Sequence, residues 1–90
     1  MKAMEIFRTR DRYRRGFIEA VIWRVPMPPS AHPYKYRLVY VVDGKRIVGY
    51  DNERGKGDHK HLGEHEEDYH FKTPQQLMRD FMADVERASA

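Results

Sequence analysis

Apolar and polar positions alternate with a period of two through most of the first fifty residues, then change period near the end of the chain. Residues 4–9 predict a short strand, with Met4 and Ile6 on one face and Glu5 and Phe7 on the other. Gly16 opens a stronger strand over 17–25. Phe17, Val21, Trp23 and Val25 share one of its faces, and Ile18, Ala20 and Ile22 share the other. Apolar residues on both faces predict a central strand covered on each side. Residues 26–33 hold four prolines, which remove four donors and predict a stiff, extended connection. Next comes a hairpin: 34–42 and 45–50 flank Asp43-Gly44, the pair preferred where both central residues of a turn need positive φ. A regular two-residue turn would set Tyr40 opposite Ile47 and Val39 opposite Val48. Tyr36, Leu38 and Tyr40 line one face of the first arm, while Arg37, Val39 and Val41 line the other.

The period changes at Thr73. Thr73 at the N-cap, Pro74 at N1 and Gln76 at N3 form the start of a helix. Leu77, Phe81 and Val85 recur every fourth residue, with Met78, Met82 and Ala88 widening the stripe and Arg79, Asp80, Glu86 and Arg87 pointing elsewhere. Residues 51–68 obey neither period and are almost wholly polar. A structureless loop this long is uncommon in a small domain, so a short strand is expected at 58–62, placing His59 and His61 on one face. A last strand over 69–71 would then lead into the helix. The sum is one α+β domain spanning 1–90: a twisted antiparallel β-sheet of about four to six strands packed against one C-terminal α-helix.

Composition narrows the setting. Ninety residues leave too few for a second core. The absence of cysteine excludes disulfide and thiol chemistry and fits a reducing, cytoplasmic compartment. No apolar run reaches membrane-spanning length, and the first residues lead into charge, so neither an anchor nor a secretion signal is expected. The net charge of +3 conceals an asymmetry. Residues 1–50 carry eleven Lys/Arg against four Asp/Glu, whereas residues 51–90 carry six against ten. Arg8, Arg10, Arg12, Arg14 and Arg15 are dense enough to attract RNA, although arginines also keep an edge strand soluble.

Candidate chemistry gathers in the polar segment. His59 and His61 at i, i+2 could share a metal ion, with Asp58, Glu64 or His65 as further ligands. They could instead exchange protons near neutral pH, or be ordinary solvated loop residues. Arg54-Gly55-Lys56-Gly57 lets backbone approach a ligand between two cations, which suits a phosphate, and a tight polar turn needs the same residues. It lacks the spacing and the following helix of a P-loop.

The string Tyr50-Asp51-Asn52-Glu53-Arg54-Gly55-Lys56-Gly57-Asp58-His59-Lys60-His61 resembles the TumE-like toxins of bacterial toxin–antitoxin modules. The Tyr34-Lys35-Tyr36-Arg37-Leu38 strand before it and Thr73-Pro74-Gln75-Gln76-Leu77 after it extend the likeness to residues 16–85, Val21-Ile22-Trp23 included. The resemblance implies a small cytoplasmic toxin of a type II module, neutralised by an antitoxin with a DNA-binding helix-turn-helix domain. By analogy with other toxins of this size, it implies a ribonuclease acting on messenger RNA. Roles then follow from chemistry: His59 and His61 exchange protons, and Arg54, Lys56 or Lys60 offset charge on the phosphorus, without metal or other cofactor. Arg8, Arg10, Arg12, Arg14 and Arg15 grip phosphates, and Tyr34 and Tyr36 stack bases if their face is open. A homodimer is compatible with the sequence. Two alternatives stand beside this reading: a non-catalytic RNA- or protein-binding module, and a metal-dependent hydrolase using the His-rich loop.

Overall fold

Turns of two or three residues join every strand pair except β2–β3, where residues 25–33 make the connection. In the computed structural model, which describes residues 2–26 and 31–89, the strands are β1 (Met4–Tyr13), β2 (Gly16–Arg24), β3 (Tyr34–Val42), β4 (Lys45–Glu53), β5 (Gly57–Leu62) and β6 (His65–Asp68). One helix follows, α1 (Pro74–Ala88). Every strand pairs antiparallel with its chain neighbours, so sheet order is chain order from β1 to β6. The fold is therefore α+β, an antiparallel meander with a C-terminal helix on one face.

The core lies between that face and α1. Ile18, Ala20 and Ile22 of β2, Tyr36, Leu38 and Tyr40 of β3, and Val48 and Tyr50 of β4 meet Leu77, Phe81 and Val85 of α1. Burying each large side chain contributes about 1.5–3 kcal/mol. The helix begins as its sequence predicts, with the Gln76 amide donating to Thr73 Oγ1 at 3.0 Å. Ala88 is exposed rather than part of the stripe, and Asp84 is buried within it. Asp80 is only partly exposed and accepts hydrogen bonds from Tyr69 and Gln76.

The Asp43-Gly44 turn has φ of 52° and 76°, the doubly left-handed geometry its sequence calls for. The register beyond it differs from the regular one. Val41 pairs with Arg46 but Tyr40 pairs with Val48, so Ile47 is an extra residue in a β-bulge. The reason lies in the core. A regular hairpin would turn Gly49 and Asp51 toward α1 and expose Val48 and Tyr50; the bulge reverses this.

Three further expectations need correction. β1 continues to Tyr13, and a register shift between Glu5 and Phe7 breaks its alternation, leaving Met4, Ile6 and Phe7 exposed. β2 is an interior strand covered by α1 on one face only, with Phe17 and Trp23 half-buried on the other. Val21 on that face is buried between Arg8 and Arg37, whose long stems can shield it. The last strand is β6, not 69–71. Tyr69 and Phe71 leave the sheet so that their rings can pack inward, Tyr69 edge-on to Tyr50 at 4.9 Å and Phe71 stacked on His32 at 3.7 Å. Part of the proline-rich connection lies outside the described residues. At its ends the Val25 amide donates to the Pro33 carbonyl at 2.9 Å.

Candidate active site

β5 is the short strand expected within the polar segment, and its alternation sets His59 and His61 on the face turned away from α1. Antiparallel register supplies their neighbours. His59 lies opposite Asp51 of β4 and Asp68 of β6, while His61 lies opposite Gly49 and Glu66. The two rings meet edge to face with centroids 5.6 Å apart. His59 Nε2 is 3.1 Å from Asp51 Oδ1 and 4.0 Å from Glu66 Oε2; His61 Nε2 is 3.8 Å and 3.3 Å from the same two atoms. Both imidazoles thus point one nitrogen into the gap between two carboxylates. His59 is buried, His61 and Asp51 are partly buried, and Glu66 is exposed on the edge strand. Asp51 Oδ1 is shut off from solvent and has no hydrogen-bond partner despite the nearby nitrogens. A depression of about 260 Å³ opens beside this centre, lined by Lys56, His59, Glu66, Glu67 and Asp68.

The cations expected around the pair are distributed differently. Lys60 points to the helix side, its Nζ 3.2 Å from buried Asp84 and over the Tyr50 ring. Arg54 and Lys56 stand on the exposed β4–β5 turn, with Lys56 3.9 Å from Glu53 and bordering the depression. Arg46 comes nearer than sequence reasoning foresees. Its side chain crosses Gly49, so that a Cβ there would lie 2.7 Å from Arg46 Cδ, and Gly49 is the residue opposite His61.

Register also decides what the arginine cluster does. Arg8, Arg10 and Arg12 pair with Val21, Glu19 and Phe17, which puts all three on the same face as His59 and His61. Arg14, with φ of 54°, and Arg15 belong to the β1–β2 turn instead. Tyr36 is fully buried on the opposite, helix-facing side, and burial with the Asp58 hydrogen bond pushes its phenol far above the usual range. It cannot stack on a base. Tyr34 is half-buried against Phe71 on that same side. On the open face, Phe17 and Trp23 are the half-buried aromatic rings instead.

Neighbours proposed from sequence spacing are also displaced. Asp58 faces α1's side, accepting from the Tyr36 hydroxyl at 2.7 Å and lying 2.6 Å from His32 Nε2. His65 pairs with Glu67 at 3.1 Å, outside the centre. Asn52 has a structural part: its side chain accepts from the Tyr36 amide at 3.1 Å and donates to the Tyr34 carbonyl at 2.9 Å. Asp51, Glu66 and Arg46 are the members sequence reasoning missed. A signal for Asp51 exists, because closing a hairpin around Arg54-Gly55-Lys56 pairs Glu53 with Gly57 and brings Asp51 opposite His59.

Among the described residues, no helix is long and apolar enough to cross a membrane. The family model described as Toxin TumE matches residues 3–89. No curated protein and no solved structure matches the chain.

Proposed function

Because the chain belongs to the TumE toxin family, we propose that it is the toxin of a type II module that cleaves messenger RNA in the cytoplasm, held inactive by an antitoxin with a helix-turn-helix domain. The observation that carries this reading is the shared face: Arg8, Arg10 and Arg12 on β1 and the His59–His61 pair on β5 all lie on the side of the sheet left open by α1. Four strand spacings separate β1 from β5, roughly 19 Å, a distance that an RNA strand can bridge. Arginines along one edge can hold phosphates while chemistry takes place at the other. Phe17 and Trp23 lie between them and offer ring surface to bases.

Breaking a phosphodiester needs a group that manages the proton of the attacking oxygen and positive charge against the phosphorus. The imidazoles, oriented by Asp51 and Glu66, suit the first task. Arg46 and Lys56 flank the pair and suit the second. Lys60 is withdrawn from the expected set, since it neutralises Asp84 on the far side.

The test is in cells and in solution together. His59→Ala and His61→Ala should each abolish growth inhibition, with cleavage lowered by about 10²–10⁴-fold, while RNA affinity stays nearly constant. Arg8→Ala, Arg10→Ala and Arg12→Ala combined should weaken RNA binding at all sequences and flatten its salt dependence. Full toxicity in the His59→Ala, His61→Ala double variant contradicts the assignment. Affinity that falls in step with activity in the histidine variants means a binding module instead.

A further inference from the structure

The arrangement of Asp51, His59, His61 and Glu66 has the form of a coordination sphere more than that of a hydrogen-bonded cluster. The ligating atoms of Asp51, His59 and His61 all lie within 4.8 Å of one another. The four nitrogen–oxygen separations are 3.1, 3.8, 4.0 and 3.3 Å. Four ligands placed tetrahedrally about 2.0–2.1 Å from one ion would be roughly 3.4 Å apart. The observed separations bracket that value.

A second, independent observation points the same way. Asp51 Oδ1 is buried, has imidazole nitrogens at 3.1 and 3.8 Å, and is hydrogen-bonded to neither. Buried polar atoms in folded proteins nearly always have a partner. A cation between the nitrogens and this oxygen provides one for all three. It also resolves the electrostatics of the face, where Asp51, Glu66 and Asp68 surround the site that a phosphate would have to approach. A bound divalent ion reverses the local sign of charge.

We infer that Asp51, His59 and His61 bind a divalent transition-metal ion through one carboxylate oxygen and two imidazole Nε2 atoms, with Glu66 as a fourth, exchangeable ligand. Two imidazoles and a carboxylate select zinc, manganese, iron or cobalt over magnesium or calcium, which prefer all-oxygen sites. The three inner ligands come from adjacent hydrogen-bonded strands, so their positions are fixed by the ladder. Glu66 is 55% exposed on the edge strand, free to swing aside and open a coordination position for water or a phosphate oxygen. Such an ion supplies a nucleophile at neutral pH and offsets charge on a phosphorus. This assignment replaces metal-free proton exchange at the pair, because both Nε2 atoms are engaged as ligands. Metal binding itself does not depend on RNA being the substrate.

The experiment uses the full chain, freed of metal by chelation and titrated with Zn²⁺ by calorimetry and with Co²⁺ by visible absorption. One equivalent should bind, with the intense d–d bands of a four-coordinate Co²⁺ site. Asp51→Asn, His59→Ala and His61→Gln should each weaken binding by at least about tenfold, and Glu66→Gln should weaken it less. His65→Ala, outside the centre, should bind as the wild type does, and circular dichroism should show every variant folded. Absence of stoichiometric binding, or binding that survives the Asp51→Asn and histidine changes but is lost in His65→Ala, overturns the inference. RNA cleavage that persists in chelator overturns it too. Stoichiometric metal binding without RNA cleavage supports the centre and contradicts only the proposed substrate.

Discussion

Asp84 sits on the buried stripe of α1, a position that a carboxylate occupies only with partners. Tyr50 and Lys60 reach it from the sheet and Arg87 from the next turn of the helix. Burial alone would raise its carboxyl, but hydrogen bonds from Tyr50, Arg87 and Lys60 outweigh it and hold the group below its usual value. A carboxyl depressed in the folded state stabilises the fold above the ordinary carboxylate range and loses that contribution as pH falls from that range through its own lowered value. Asp84→Ala should therefore cost roughly 1–3 kcal/mol at pH 7, by removing the acceptor that the Tyr50 hydroxyl, Lys60 and Arg87 share and leaving Tyr50 only the Asp80 carbonyl. The gap to wild type should narrow below about pH 5. Thermal melts at pH 7 and pH 3 check this, and an unchanged gap contradicts it. Gly44 is a simpler case. A Cβ there would meet nothing within 4 Å, so the cost of Gly44→Val is the φ of +76° alone. It should be about 1–2 kcal/mol, and a melt within a degree of wild type contradicts the turn geometry.

At the scale of elements, local chemistry was legible where it acts alone. The Asp43-Gly44 turn and the Thr73 cap could be read directly because each depends on residues next to one another. The bulge at Ile47 could not, since it reflects competition between turn geometry and the burial of Val48 and Tyr50. It follows that deleting Ile47 should be tolerated, because Val41–Arg46 and Tyr40–Val48 would then be consecutive pairs of a regular hairpin. Deleting Gly49 would also leave a regular hairpin with Tyr50 and Asp51 on their native partners, but with Ile47 in the core place of Val48. Unfolding of the Ile47 deletion variant contradicts the register. For α1, Phe81→Ala should cost about 3–5 kcal/mol, against about 1 kcal/mol for Thr73→Ala. Chemical denaturation separates them, and equal small losses would mean that the helix does not pack on the sheet. Residues 69–71 differ for a related reason: their aromatic pattern reads as a strand but serves packing on the helix side of β3 and β4.

Across the whole molecule, the open face runs from arginines on β1 to carboxylates on β6, with the histidine centre near the acidic side. The His pair was legible because alternation along one strand is a local property. Asp51 and Glu66 were not, because each reaches the centre through pairing between strands, and Arg46 lies beside them only because its side chain crosses Gly49. The arginine run reads as one patch along the chain, yet of its members Arg8, Arg10 and Arg12 share the open face. That polarity bears on the antitoxin partner that the toxin family implies. An acidic surface meeting β1 should associate more slowly as salt rises, and a salt-independent association rate in stopped-flow mixing contradicts charge steering.

The central claim is that the open face cleaves RNA at the centre on β5, and the most direct measurement follows both properties in one preparation. Antitoxin-free toxin is incubated with end-labelled messenger RNA, and cleavage rate and RNA affinity are recorded for wild type, Asp51→Asn and His59→Ala. Wild type should cut the RNA, and both variants should fall by about 10²–10⁴-fold in rate with affinity little changed, since the arginines of β1 hold the backbone. Intact RNA with wild type, or cleavage by either variant at the wild-type rate, contradicts the account.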